Sequence, residues 1–474
     1  MTIRTIAHKE FIEMWRDDRF RVAAVIVLIL LVTALGAGWR HYRNVSAERA
    51  AAQMQMRENW LGQGKKNPHG AAHYGTYAFK PMLPLGLVDS GTDAYTGAAL
   101  YLEAHKQNNA KYLAAQDRTS LQRFGELTAA VVLQVLLPLV IVLLGFAAFA
   151  GERETGTLRQ LLSLGVKPHD LAFGKALGIS GALLLLLVPA SVVGATAIIL
   201  SGANGQNAAF DAPRLLVMSL GYVLYLAGFI GLALAASAFF RAARTALIVL
   251  LGFWVINCLI APRVAADLSE RVAPVPSSAQ FWTNIADDLR NGLDGHNPQD
   301  KRARELLDKT LKEYGVAKVE DLPVNFSGIS LQAGEAHSDR VFDKHFNHLW
   351  DGYERQSRIQ QWSGLVAPLL AVRSLSMGMA ASDFAHHRRF AHAAEVYRRE
   401  MVKKLNLDIA FNSKAGQTYL QDEKLWSQVP DFAYAPPPAS WAVARQTGSL
   451  MALAAWLVAS GLLAFFAVRR IRVN

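Results

Sequence analysis

The sequence predicts an all-α polytopic membrane protein: six transmembrane helices, an N-terminal interfacial helix and a mostly helical extracytoplasmic domain. Three observations carry that reading. Hydrophobic residues fill 52% of 474 positions and charged residues only 18%, which is too oily for a soluble chain of this length. Six apolar runs are long enough to cross a bilayer, whose hydrocarbon is spanned by about 20 helical residues. Arginine and lysine crowd into alternate connections between those runs.

The first 21 residues are polar or amphipathic, with Ile3, Ala7, Phe11 and Met14 near helical spacing, Trp15 at the membrane edge, and Arg16 and Arg19 following it. The first run, Val22–Trp39, follows this polar stretch and precedes no small-residue cleavage motif, so it reads as a retained anchor and not a signal peptide. The others are Leu127–Ala150, Ala176–Leu200, Leu215–Phe240, Thr245–Ala261 and Gly448–Val468.

On this map one side of the membrane collects Arg16, Arg19 and Arg21, then Arg153, Arg159, Lys167 and Lys175, then Arg241 and Arg244, and finally Arg469, Arg470 and Arg472 of the 469–474 tail. The connection 201–213 has neither lysine nor arginine. Both termini are therefore expected in the cytoplasm, with 40–126 and 262–447 outside. A rival seventh span at Trp362–Ala381 contains Pro368 and Arg373 and would move the basic tail outside.

The six runs contain no Asp, Glu, Lys, Arg or His, which argues against a carrier coupled to protons or ions. Gln134 and Asn257 read as interhelical hydrogen-bond partners, and Pro138 and Pro189 as kinks. A phosphate loop of the G-x-x-x-x-G-K-[ST] type is missing, so the chain is not expected to hydrolyse ATP, and no nucleophile-and-base set suggests another enzyme. The net charge of +11 fits cytoplasmic loops of a membrane protein better than nucleic-acid binding. The single cysteine, Cys258, rules out an intrachain disulfide and a cysteine metal cluster.

Within 262–447, helices are expected at Gln299–Tyr314, Gly334–Gln361 and Ala381–Leu405. His345 with His348, and His386 with His387, are weak metal candidates. No carboxylate completes a motif such as H-E-x-x-H, and Arg388 and Arg389 beside the second pair oppose a cation, so no metal is expected. The basic run around them reads as a charged helix face.

Between the second and third runs lies GERETGTLRQLLSLG, residues 151–165. Thr155 or Thr157 can cap a short helix, Leu158, Leu161 and Leu162 recur at i, i+3, i+4, and Gly165 and Pro168 end it. Spacing alone leaves two readings open, a helix lying in lipid headgroups and a docking helix.

The string Glu152-Arg153-Glu154-x-Gly156-Thr157-Leu158, followed by Leu161-Leu162 and Gly174-Lys175, resembles the motif after the second span of ABC-2 type permeases, membrane subunits of a class of ATP-binding-cassette transporters. The N-terminal segment is similar to the interfacial helix before their first span. With 262–447 outside, the chain resembles a bacterial subclass with a large insert before the last span. The resemblance implies that 151–175 carries a cytoplasmic coupling helix seated in a cleft of a separate ATPase. Glu152, Arg153, Glu154, Gly156, Thr157, Leu158, Leu161 and Leu162 are then the coupling residues, and the glutamates are expected to be held by basic groups of the ATPase or of the N-terminal helix, such as Arg16 or Arg19. It further implies two ABC ATPase subunits carrying ATP and magnesium, no cofactor in this chain, and a second copy or a related permease beside it. The bacterial cytoplasmic membrane and its lipid follow from the same resemblance, and a periplasmic partner is compatible with the external domain. Export is implied by the family alone, and the alternative is a mechanical or assembly complex that works the external domain without moving a solute.

Overall fold

The computed structural model describes residues 2–113, 127–202, 208–293, 296–297 and 300–471, so Arg472 of the basic tail lies outside the described residues. Among these, six helices are long and apolar enough to cross a membrane: Asp18–Leu61, Ala129–Glu154, Pro168–Ser201, Ala212–Phe239, Ala243–Val272 and Thr447–Arg469, here spans 1 to 6. Val22, Ile29, Leu184, Val188, Val223, Ile248, Val458 and Leu462 point outward from them and are exposed. An apolar girdle of this extent is stable only against lipid or protein.

Span 1 does not stop at Trp39. Asp17 caps it by accepting the Arg19 N–H, and the helix runs unbroken for 44 residues to Leu61, about 66 Å and twice the hydrocarbon thickness. The stretch AERAAAQMQMREN is built from strong helix formers and contains no glycine or proline, so nothing ends the helix before Gly62. Its C-terminal half packs against the segment between spans 5 and 6, where Trp60 donates to the Trp426 carbonyl at 2.9 Å.

Spans 2 and 5 each contain a five-residue π-helical turn, Val132–Leu136 and Ile256–Ile260, shortly before Pro138 and Pro262. A proline removes one backbone donor and crowds the preceding turn, and the wider π turn relieves both. Each turn also carries one of the two amides. Gln134 Nε2 donates to the Tyr222 hydroxyl at 3.1 Å, which pairs with Ser376 Oγ at 2.9 Å. Asn257 Nδ2 donates to the Tyr225 hydroxyl at 3.3 Å, Tyr225 donates to the Gln134 carbonyl at 2.8 Å, and Asn257 Oδ1 accepts from Leu369 N at 3.1 Å. Both amides are thus interhelical partners.

Leu369 and Ser376 belong to Pro368–Ala380, the segment of the rival seventh span. Its 13 residues reach about 20 Å, too short to cross. The helix instead lies between spans 4 and 6, with Leu369, Ala371, Val372, Leu375 and Met379 buried in the same core as the spans. Arg214, one residue before the expected start of the fourth run, is fully buried at the outer end of span 4. It donates to the carbonyls of Gly378, Met379 and Pro437 at 3.2, 3.2 and 2.8 Å, so its charge is held within the protein.

The segment between spans 5 and 6 is mostly helical, as expected, with helices Ser278–Arg290, Lys301–Tyr314, Phe326–Trp362 and Phe384–Asn412. Gln299, the expected start of the second of these, is outside the described residues. The last two run antiparallel and are laced by ion pairs: Arg388 with Asp351 and Glu354, Arg398 with Glu335, Asp339 and Glu395, and Arg399 with Asp343. The basic run is therefore a paired helix face. Phe281, Phe342, Phe346, Trp350, Phe390 and Phe432 form one core beneath it, and Trp60, Met401, Leu405 and Trp426 form another. A small antiparallel sheet, β1 (Thr76–Phe79), β2 (Ala99–Glu103) and β3 (Lys106–Gln107), in the order β1-β2-β3 with Ala78 opposite Leu100, was not evident from the sequence.

Candidate functional site: the coupling face

At the inner end of span 2 the chain makes two short helices, Ala150–Glu154 and Thr157–Ser163, separated by Gly156 in the left-handed region at φ 79°. Glycine is the residue that turns this corner without a Cβ penalty. Gly156 also occupies the N-cap position, so neither Thr155 nor Thr157 caps the second helix as expected. The Thr155 hydroxyl instead donates back to the Gly151 carbonyl at 3.1 Å and lies 3.0 Å from that of Thr157.

The three charged residues of the first helix bind three different elements. Glu152 Oε1 accepts from Lys175 Nζ of span 3 at 2.8 Å, and the same ammonium donates to Glu10 of the interfacial helix Thr2–Arg16 at 2.8 Å. Lys175 is almost fully buried, with Phe149 beneath its charge at 5.6 Å. A buried ammonium between two carboxylates is tolerated because each donor–acceptor pair is short and charge-assisted. Lys9 adds contacts to Glu152 at 3.3 Å and Glu13 at 2.8 Å. Partial burial works against its charge, yet the hydrogen bonds to Glu13 and Glu10 and the nearby Glu152 hold its pKa above the ordinary lysine value. Arg153 donates to the last carbonyls of span 4, Ala238 at 3.0 Å and Phe240 at 2.6 Å, a cationic C-cap. Glu154 accepts the Ala243 N–H at 2.9 Å, satisfying a free donor at the start of span 5.

Two sequence expectations need correction here. The partners of Glu152 within this chain are Lys175 and Lys9, while Arg16 and Arg19 are exposed and point elsewhere. Leu158, expected on the docking face, is only 3% exposed and packs into the core formed by the spans, with Leu161 and Leu162 half-buried against it. The leucine stripe anchors the helix to its own chain because the bundle below supplies the nearest apolar surface. What faces outward is Arg159, Gln160, Ser163 and Leu164, the last 80% exposed.

The interfacial helix lies along span 3. Met14 is buried, Phe11 half-buried and Trp15 exposed. Close approach depends on Gly174 and Gly178: a Cβ on the first would strike the Ile6 side chain, and one on the second would come within 2.6 Å of Glu10 Cβ.

An interfacial helix, a coupling segment between spans 2 and 3 tied to it through Lys175, and six spans form one assembly. The profile described as ABC-2 family transporter protein matches residues 4–303 of the chain. The chain belongs to the ABC-2 transporter family. It is a membrane permease component of an ATP-binding-cassette transporter. Residues 278–435 match a second profile, a domain of unknown function (DUF3526), which covers most of the segment between spans 5 and 6. None of the curated proteins compared matches the chain.

The sequence reading of the permease missed Glu10, one of two glutamates of the interfacial helix, because its contact with Lys175 of span 3 appears only once the two helices pack together. It also missed a second polar centre. His345 is 2.8 Å from Asp288, His348 is exposed, His386 Nδ1 is 2.5 Å from Asp383, and His387 is buried with Nδ1 unpartnered. None of these four gathers with another histidine as a ligand set among the described residues. Four others do: His69, His73, His105 and His296. Burial pushes the pKa of His69 down to about 4, against the hydrogen bond from its ring to Asn406, and the neighbouring imidazoles add to the shift.

Proposed function

We propose that the permease is driven by a separate cytoplasmic ATPase that docks beneath residues 155–164, and that the complex exports its cargo across a bacterial cytoplasmic membrane with both termini inside. The supporting observation is the Glu10–Lys175–Glu152 triad together with the Arg153 and Glu154 contacts. One five-residue helix is fastened to the interfacial helix and to spans 3, 4 and 5, so force applied to it reaches four elements at once. Leu164 and its exposed neighbours form the contact surface, while Leu158 holds the segment in place. ATP and magnesium belong to the partner, two copies of it serving two permease chains, and this chain supplies no catalytic group.

A mechanical role is the second reading, favoured by span 1. A helix of 44 residues that starts beside the interfacial helix and ends against Trp426 transmits movement to the external domain without any conduit.

Co-purification separates the docking proposal from a headgroup-bound helix. At equal membrane expression, Leu164→Asp and Arg159→Glu lose the ATPase and its stimulated turnover. Unchanged recovery and turnover in both variants contradict the docking surface. Reconstitution into vesicles then divides the two readings: ATP-dependent loss of lipid or solute from one compartment supports export, and turnover with a moving external domain but no flux supports the mechanical role.

A further inference from the structure

We propose that the external domain holds one divalent late-transition-metal ion of the zinc class, bound by the imidazoles of His69, His73, His105 and His296. Their ligand nitrogens all lie within 4.8 Å of one another. Three are closer: Nε2 of His105 is 3.1 Å from that of His69 and 2.7 Å from that of His296, and the remaining pair is 3.3 Å apart. Four nitrogens around a tetrahedral zinc at about 2.0–2.1 Å are separated by roughly 3.3 Å.

Hydrogen bonding at the back of the rings argues that a cation belongs between them. His105 Nδ1 faces the Glu335 carboxylate at 2.7 Å and His69 Nδ1 faces Asn406 Oδ1 at 2.8 Å, and both oxygens are acceptors. Each Nδ1 thus faces an acceptor, and in the neutral tautomer that donates to it the ring turns an Nε2 lone pair toward the other. His296 has one Nε2 proton to offer at most, which serves one neighbour and leaves the other facing a lone pair. A metal ion satisfies all of them. The arrangement of outward Nε2 and an Nδ1–H held by a carboxylate or carbonyl oxygen is the support that metal-bound histidines generally have. Glu335 is in turn bonded by Arg398, and Asn406 is fully buried with its amide nitrogen 3.3 Å from Gln332 Oε1, so both supports are fixed.

The backbone gives an independent indication. His105 lies in the turn between β2 and β3 at φ 68°, a left-handed conformation that glycine or asparagine adopts more readily. His69 and His73 are one turn apart on helix Pro68–Tyr74, which starts with an Asn67 cap and Pro68 and thus has its register fixed. Four nitrogen ligands without a first-shell carboxylate suit zinc, copper or nickel and disfavour calcium and magnesium. The ion would clasp residues 69–105 to the loop bearing His296, joining the first external stretch to the insert. This departs from the metal-free domain anticipated from the sequence.

The test uses the full-length chain in detergent, without a histidine tag, stripped with chelator and titrated with zinc, copper and nickel salts. Wild type retains about one ion per chain after dialysis and melts at higher temperature with it. His296→Ala and His73→Ala, both exposed positions, keep the fold by size exclusion and weaken binding at least about tenfold, by comparison with losses at ligand supports. His69→Ala/His105→Ala abolishes retention and the thermal shift, and His345→Ala/His348→Ala changes neither. A wild-type chain that retains no ion, or retention unaffected by His69→Ala/His105→Ala, overturns the site.

Discussion

Lys175 carries the most consequence of any single side chain here. It neutralises two buried carboxylates from two other elements, so removing it strands both. Lys175→Ala is expected to destabilise the permease by about 3–5 kcal/mol, the usual result of breaking a buried ion pair on one side, measured by thermal unfolding in detergent. Glu10→Gln keeps a hydrogen-bonding group and should lose far less. Glu152 and Lys175 were legible as motif letters, but their mutual contact was not, because nothing in local spacing reveals that span 3 folds back beside residue 152. His387 supports a prediction of a different kind. Burial pushes its pKa down to about 3, with the Lys80 charge adding to the shift. Its folded-state pKa lies below the unfolded value, so below about pH 6.5 the unfolded chain takes a proton that the folded one refuses, and stability falls. At pH 5 the loss is roughly 2 kcal/mol, and His387→Leu should flatten that part of the pH profile of unfolding.

Among the elements, the long first helix and the short buried one explain why boundaries were harder to read than spans. Hydropathy marks where a helix leaves lipid and says nothing about where the helix stops, so Arg40–Leu61 continued unseen. Pro368–Ala380 is apolar along most of its length but carries Arg373 and is only 13 residues long, so it packs beside the spans and does not cross. The intramembrane amides were legible in role, since an amide in hydrocarbon needs a partner. The π turns beneath them were not, since they arise from the proline a few residues on. The interfacial helix offers a direct check. Gly178→Val places side-chain atoms where Glu10 already sits, and should cost about 1–3 kcal/mol in thermal unfolding and loosen the Glu10–Lys175 contact, whereas Gly252→Ala, with open space around it, should be nearly silent.

At the scale of the whole molecule, the six crossings followed from composition and basic loops, and the external domain's helices from periodicity. The histidine cluster did not, because its members come from residues 69, 73, 105 and 296 and only a fold brings them together. The topology proposal is checked in a Cys258→Ala background by labelling from outside. Thr418→Cys, in an exposed external turn, should react with an impermeant thiol reagent in intact spheroplasts, and Ser163→Cys, exposed beside the coupling helix, should react only after lysis. The central claim is that the surface around Leu164 carries the partner ATPase. Its most direct measurement is site-specific photo-crosslinking in native membranes, with the probe placed in turn at Leu164, at the core-facing Leu158 and at external Thr418. Docking predicts an ATPase adduct from position 164 alone, and lipid adducts from position 164 with no ATPase adduct would contradict it.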